Sequence, residues 1–276
     1  MRKYHFLLMA LVAVLFATGC ATTGYIPSDS SIRQKELWLK NGNQRIYGIL
    51  LTPAGVRKAP LAVVSHGIAG NYKSGIEYAE SLVKLGYAVY CFDFRGGSNS
   101  SRSDGRTTDM SIFTEEDDLR AVVEGLKGVK GIKKGKVTLL GISQGGMVSA
   151  LYAGDHPEAV EKLVLVYPAF CIKDDWVTKY PKITDMPETE NSFGMKLGRA
   201  YVKDLYDLDV YGRISNYKGR VLIVHGDKDR LVPISYSKKA NRAYRRCTLK
   251  TIQGAGHGFR GSELTKAIEY VNDFLD

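Results

Sequence analysis

The 276-residue chain is poor in cysteine, tryptophan and proline, with 4, 2 and 8 of them. Four cysteines in a chain of this length exclude a small disulfide-stapled scaffold. No apolar run exceeds the 12 residues Phe6–Ala17. A membrane-spanning helix needs about 20, so a polytopic membrane protein is excluded. The chain has no internal repeat and no low-complexity tract, which excludes solenoids and collagen-like proteins. Its 5 histidines and few cysteines make no metal-ligand spacing, and Gly96-Gly97 lacks the spacing of a dinucleotide loop. No metal and no cofactor is expected.

What remains is a globular composition, 44% hydrophobic and 25% charged, with a net charge of +10. The basic residues are scattered, Lys127, Lys130, Lys133, Lys134 and Lys136 among them, and no stacking aromatics lie between them. They read as a solvated face, and no nucleic-acid partner is expected. Cys91 sits in the apolar run Tyr87–Phe92 and reads as a buried small hydrophobe. Cys171 and Cys247 are far apart in sequence, weak grounds for a disulfide.

Residues 1–20 read as a signal peptide. Met1–His5 is basic, and the following apolar stretch is of signal length. Phe16-Ala17-Thr18-Gly19-Cys20 resembles a bacterial lipobox, in which the cysteine is lipidated and becomes the mature N-terminus. Ordinary cleavage nearby is the alternative. The expectation is export to the periplasm or cell surface with a lipid anchor at Cys20, and no other membrane contact. Loss of Arg2 and Lys3 with the leader takes the charge from +10 to +8. Residues 21–31 read as a flexible tether and 32–276 as the folded domain.

Within that domain, Glu36–Lys40 and Arg45–Leu51 flank Asn41-Gly42-Asn43, a hairpin signal. Short continuous apolar runs follow at 61–65, 88–92, 137–141, 163–166, 221–224 and 249–252. Helical patterns separate them at 72–85, 114–126, 144–154, 235–244 and 262–275. Near-continuous Val/Leu/Ile strands are buried on both faces. The alternation predicts an α/β fold: a mostly parallel sheet with an N-terminal antiparallel hairpin and helices on both faces. Residues 169–215 break the rhythm. This 47-residue insertion holds Trp176 and four tyrosines, and it predicts a small cap over the carboxyl edge of the sheet.

The chemistry centres on Gly141-Ile142-Ser143-Gln144-Gly145. This G-x-S-x-G run follows a strand and opens a helix, the context of a nucleophile elbow. Its glycines suit a turn too tight for side chains. Ser143 is the expected nucleophile, and the backbone N–H of Gln144, at the helix start, faces a developing oxyanion. A serine needs a base. His257, in the Gly254–Phe259 loop after the last strand, is best placed; His66 and His225 read as shaping the site rim. The base needs an acid, and in His225–Pro233 both Asp227 and Asp229 compete. Spacing alone does not separate them.

The chain order Ser…Asp…His resembles that of the α/β-hydrolases over nearly the whole mature chain. In that family the acid sits in an H-G-x-x-D-x-x-V-P run. His225–Pro233 matches it, and the resemblance selects Asp229. It also implies a second oxyanion N–H just after His66-Gly67, at Ile68. A narrower resemblance is to bacterial cinnamoyl or feruloyl esterases. It rests on Phe92-Asp93-Phe94-Arg95-Gly96, Ser98, Asp109-Met110-Ser111, Glu115–Leu119, His66–Asn71 and Lys162–Ala169. In those enzymes an aspartate and a tyrosine bind the phenolic hydroxyl of the acyl group. Asp175 and Tyr201 match these positions. The resemblance implies a serine esterase acting on small-molecule or glycan-linked aromatic esters through an acyl-enzyme. Alternatives are an aminopeptidase-like serine peptidase, a short-chain acyl esterase or thioesterase, and a non-catalytic binding lipoprotein.

Overall fold

The computed structural model describes Tyr25, Pro27 and residues 29–276. The signal peptide expected over residues 1–20 and the lipidation expected at Cys20 lie outside the described residues. The first two strands, β1 (Ile32–Asn41) and β2 (Gln44–Pro53), pair antiparallel with Asn41 opposite Gln44. Gly42 opens the two-residue loop at φ +59°, where such hairpins want glycine.

Strand–helix alternation then begins. β3 (Leu61–Ser65) leads to α1 (Ile76–Lys84), which is preceded by one 3-10 turn over Tyr72–Gly75 capped by Asn71. β4 (Ala88–Phe92) precedes α2 (Ile112–Leu126). This helix starts two residues before the expected Thr114. Ser111 is the cap, its Oγ accepting from the Thr114 N–H at 3.2 Å while the Thr114 hydroxyl takes the Ser111 N–H. Thr114 closes a capping box and sits inside the helix. β5 (Val137–Ile142), α3 (Gln144–Asp155) and β6 (Val160–Val166) follow.

Residues 169–215 then carry α4 (Ile172–Lys179), a small hairpin of β7 (Thr189–Ser192) and β8 (Met195–Gly198), α5 (Ala200–Lys203) and α6 (Val210–Ile214). The chain closes with β9 (Arg220–Gly226), α7 (Ile234–Ala243), β10 (Cys247–Ile252) and α8 (Ser262–Leu275).

Eight strands form one sheet in the order β1-β2-β4-β3-β5-β6-β9-β10. From β4 to β10 every pairing is parallel; β2 joins β4 antiparallel. This is the expected α/β architecture. Alternation along the strands makes two cores. Leu61 and Val63 face one side with Leu119 and Val122 of α2 and Met147 and Leu151 of α3. Ala62 and Val64 face the other with Leu82 of α1 and Val271 of α8. The aromatics of 169–215 join the first core through Phe170, Trp176 and Tyr201. The β7–β8 hairpin is tied to the loop after β4, where Asn99 donates to Gly194 O at 2.8 Å and Thr107 to Lys196 O at 2.6 Å. This places the insertion beside the carboxyl ends of the parallel strands, where the site is built.

Candidate active site

Ser143 stands between β5 and α3 at φ 53°, ψ −118°, a backbone conformation that L residues rarely adopt. The flanking glycines show what the turn demands. A Cβ on Gly141 would stand 2.3 Å from Gly145 O, and one on Gly145 would stand 2.4 Å from the carbonyls of Ser65 and His66. The elbow is pinned to the neighbouring strand: the Ser143 N–H donates to Val166 O at 2.9 Å, and Ser143 O accepts from the Ala169 N–H at 2.9 Å.

The three triad residues expected from the sequence are brought into line. The Ser143 hydroxyl lies 3.0 Å from His257 Nε2, and His257 Nδ1 lies 2.8 Å from Asp229 Oδ2. The His257 ring packs 4.6 Å from Tyr167, which in turn meets Phe259 edge-on. Asp229 is held from both oxygens. Oδ1 accepts the N–H groups of Leu231 (3.0 Å) and Val232 (2.8 Å), while Oδ2 faces His257 and, at 3.2 Å, His225 Nε2. Burial alone would raise the Asp229 pKa. Hydrogen bonds from His225, His257 and Val232 outweigh it and hold the carboxyl well below the usual range, so the group is an anion. Asp227, the competing acid, is exposed. It accepts the Gly254 N–H at 2.7 Å and so braces the loop that carries His257.

His66 and His225 correct the expectation that they form the rim, because both are buried. His66 Nδ1–H donates to Gly67 O at 2.7 Å and its Nε2 accepts from the Phe94 N–H at 3.1 Å. Burial pushes its pKa down to about 4, so it is a neutral brace under the 66–70 loop. That loop lies against the serine: a Cβ on Gly67 would meet Ser143 Cβ at 3.0 Å. Ile68 lines the same cavity as Ser143 and Gln144. Among the described residues the Ile68 N–H has no acceptor. The Gln144 N–H belongs to the first residue of α3, where no intrahelical acceptor exists.

The cavity beside Ser143 is about 60 Å³ and is walled by Ile68, Gln144, Trp176, Tyr201 and Asp175, with the exposed side chains of Phe193 and Leu231 at its mouth. Asp175 is exposed and Tyr201 buried. The Tyr201 hydroxyl donates to Gln144 Oε1 at 2.5 Å, and Gln144 Nε2 donates to Glu115 Oε2 at 2.9 Å. Burial holds the Glu115 pKa well above the carboxylate range. Cys171 also lines the cavity, and it, Cys91 and Cys247 are free thiols.

Two participants escape a reading of the sequence. Glu115 reads as a first-turn acid, yet with Ile112, Leu119 and Val122 it lies on the apolar stripe of α2, a spacing that marks it as buried. His225 follows Val221 and Ile223 at strand period two, which turns it into the sheet's covered face. The Phe92–Gly96 run is structural here. Asp93 accepts the N–H groups of Tyr72 and Arg102 at 2.7 Å each, and Arg95 pairs with buried Asp118.

Comparison with known proteins agrees with this architecture. A family model described as alpha/beta hydrolase fold matches residues 60–187. AB hydrolase superfamily protein YisY of Bacillus subtilis is 26% identical over 250 residues, covering 76% of this chain and 89% of YisY. Monoacylglycerol lipase ABHD6 of Homo sapiens is 22% identical over 260 residues, covering 78% and 75%. Proline iminopeptidase PfmaB of Pestalotiopsis fici is 27% identical over 238 residues, covering 84% and 75%. Among solved structures, Est1E from Butyrivibrio proteoclasticus with bound ferulic acid superposes with a TM-score of 0.79 at 26% identity, covering 86% of this chain and 97% of Est1E. The chain therefore has the α/β-hydrolase fold, and it is a hydrolase that resembles members of that superfamily, bacterial esterases among them.

Proposed function

We propose that this hydrolase is a serine esterase that cleaves carboxylic esters of aromatic, hydroxycinnamoyl-type acids. The observation that carries the reading is the unbroken line from Ser143 Oγ through His257 to ionised Asp229, opening on a cavity walled by Trp176 and Tyr201. In this reading Ser143 attacks the ester carbonyl as His257 takes its proton, and Asp229 stabilises the imidazolium that forms. The N–H groups of Ile68 and Gln144 receive the developing oxyanion, one from a loop and one from a helix N-terminus. His257 then protonates the leaving alcohol. Water attacks the acyl-enzyme with the same residues in reverse roles.

The aromatic preference is supported by the composition of the cavity wall, and by the likeness to a structure that holds ferulic acid. Asp175 and Tyr201 are assigned to a phenolic hydroxyl. The cavity of about 60 Å³ is well below the roughly 300 Å³ of an ordinary small-molecule site, so Phe193 and Leu231 must swing aside for an aromatic acyl group. A peptidase reading has one observation in its favour: Asp175 is a carboxylate at the cavity that can anchor a substrate amine.

Steady-state hydrolysis of methyl ferulate, p-nitrophenyl acetate and an aminoacyl p-nitroanilide separates the readings. A kcat/KM highest on the ferulate is the expected result. Turnover of the anilide alone assigns a peptidase, and turnover of acetate alone removes the aromatic preference. Ser143→Ala is expected to lose on the order of 10⁴-fold or more. Ester turnover that survives it removes the serine mechanism.

A further inference from the structure

Apart from Phe193 and Leu231 at the cavity mouth, one large hydrophobic side chain is exposed among the described residues: Val56, at 47%. It lies in the loop between β2 and β3, followed directly by the exposed Arg57 and Lys58. This loop is hydrogen-bonded to two others. The Ala54 N–H donates to Ser31 O at 2.7 Å, at the point where the chain enters the fold. On its other side the Ala59 N–H donates to Gly131 O at 2.9 Å, and the Lys133 N–H donates to Ala59 O at 2.8 Å. The loop that carries Val56 is thus hydrogen-bonded to the segment after α2, which presents Lys127, Lys130, Lys133, Lys134 and Lys136, all exposed. Among the described residues only Lys127 of these five has a carboxylate partner, Glu124.

This surface is at the amino ends of β3 and β5. Ser143 follows the carboxyl end of β5, six residues and about 20 Å away. The N-terminal segment, with its apolar stretch and Cys20, joins the domain at the same edge. An apolar side chain flanked by cations, on a strongly basic face, is the chemistry that partitions onto anionic lipid: the cations gather at the headgroups and the apolar group enters the acyl boundary.

We propose that the surface formed by Val56, Arg57, Lys58 and the lysines of 127–136 docks on an anionic phospholipid bilayer, turning the Ser143 edge away from the membrane. This contact is additional to any lipid at Cys20, and it departs from the sequence expectation of a solvated lysine face with no other membrane contact. It does not depend on which ester the site cleaves.

The test is co-sedimentation of the chain from Ala21, which carries every strand and helix described, with phosphatidylcholine vesicles and with vesicles containing phosphatidylglycerol. Binding is expected to the second kind only and to weaken as salt rises. Lys130→Glu, Lys133→Glu and Lys134→Glu together should lower it by at least about tenfold, and Val56→Asp should lower it further. The control carries the same charge change at the opposite end, Lys182→Glu, Lys196→Glu and Lys203→Glu, and should keep most of the binding. Unchanged far-UV dichroism and thermal midpoints keep unfolding out of the comparison. No phosphatidylglycerol-dependent binding overturns the proposal. So does equal loss in both triple variants, which means diffuse charge alone, and so does binding to a polynucleotide with none to vesicles.

Discussion

His225 shares Asp229 Oδ2 with His257: its Nε2 lies 3.2 Å from that oxygen. The tautomer follows from the neighbours. Nε2 also faces Val232 O at 2.9 Å, so both its contacts are acceptors and it carries the proton, leaving Nδ1 to accept from the Ser237 hydroxyl at 2.7 Å. A buried imidazole thus draws off part of the carboxylate's charge. His225→Leu is expected to lower kcat/KM at pH 7 by about 10- to 100-fold, the worth of a hydrogen bond to a charged group. A change of less than about threefold would reduce His225 to a packing role.

The two aspartates of the 225–233 run should separate sharply. Asp229→Asn removes the acceptor that orients His257 and is expected to cost on the order of 10⁴-fold in kcat with the fold retained. Asp227→Asn keeps an oxygen for the Gly254 N–H and should change kcat less than about tenfold. Parallel kcat measurements decide, and a reversed ranking reassigns the acid.

Gly145→Ala places a Cβ 2.4 Å from two backbone carbonyls that have no flexible side chain to give way. The expected outcome is a loss of about 3 kcal/mol or more in urea unfolding, or no soluble protein. A variant as stable as the parent would mean that the strand–helix contact is looser than described.

Tyr201→Phe leaves the ring on Trp176 but removes the hydroxyl. KM for methyl ferulate should rise about 3- to 10-fold, one neutral hydrogen bond, while p-nitrophenyl acetate turnover stays within about threefold. Equal changes on both esters would make Tyr201 a support for Gln144 alone.

Glu115 carries a pKa raised by burial, so the folded state holds its proton while the unfolded chain releases it. Its contribution to stability is full below the unfolded carboxyl pKa and is lost as pH rises toward the folded value. Half-buried Glu116 and buried Asp118, raised by burial to about 7 and about 6, act in the same direction. Glu115→Gln mimics the neutral acid. It should raise Tm at pH 8 by at least about 2 °C, the shift one kcal/mol gives a domain of this size, and leave Tm near pH 4 unchanged. Calorimetry at the two pH values checks it.

The strands and the serine elbow are legible in the sequence because each rests on a local rule: apolar runs buried on both faces, and glycines where a turn excludes Cβ. Asp229 needs more, since nothing in the spacing of two aspartates tells which one meets an imidazole 28 residues further on. Family likeness selects it, and the distances agree. The buried partners are hidden for a different reason. Glu115 and His225 are polar residues whose role emerges only when a second element covers them, Gln144 and Tyr201 in one case and the Asp229 turn in the other. α2 starts two residues before the expected 114 because Ser111 and Thr114 cap it reciprocally, a pairing that shows only in the hydrogen bonds.

The close approach of Gly145 to the end of β3 has a mechanical consequence. Ser143 and the loop that carries Ile68 are seated on the same backbone contact, so neither can shift without the other. Under the proposed mechanism the insertion sets what reaches Ser143, while the spacing between the Ser143 hydroxyl and the Ile68 loop is fixed by that shared contact. Substitutions across the insertion should therefore alter selectivity while the rate of the bond-breaking step itself stays almost constant.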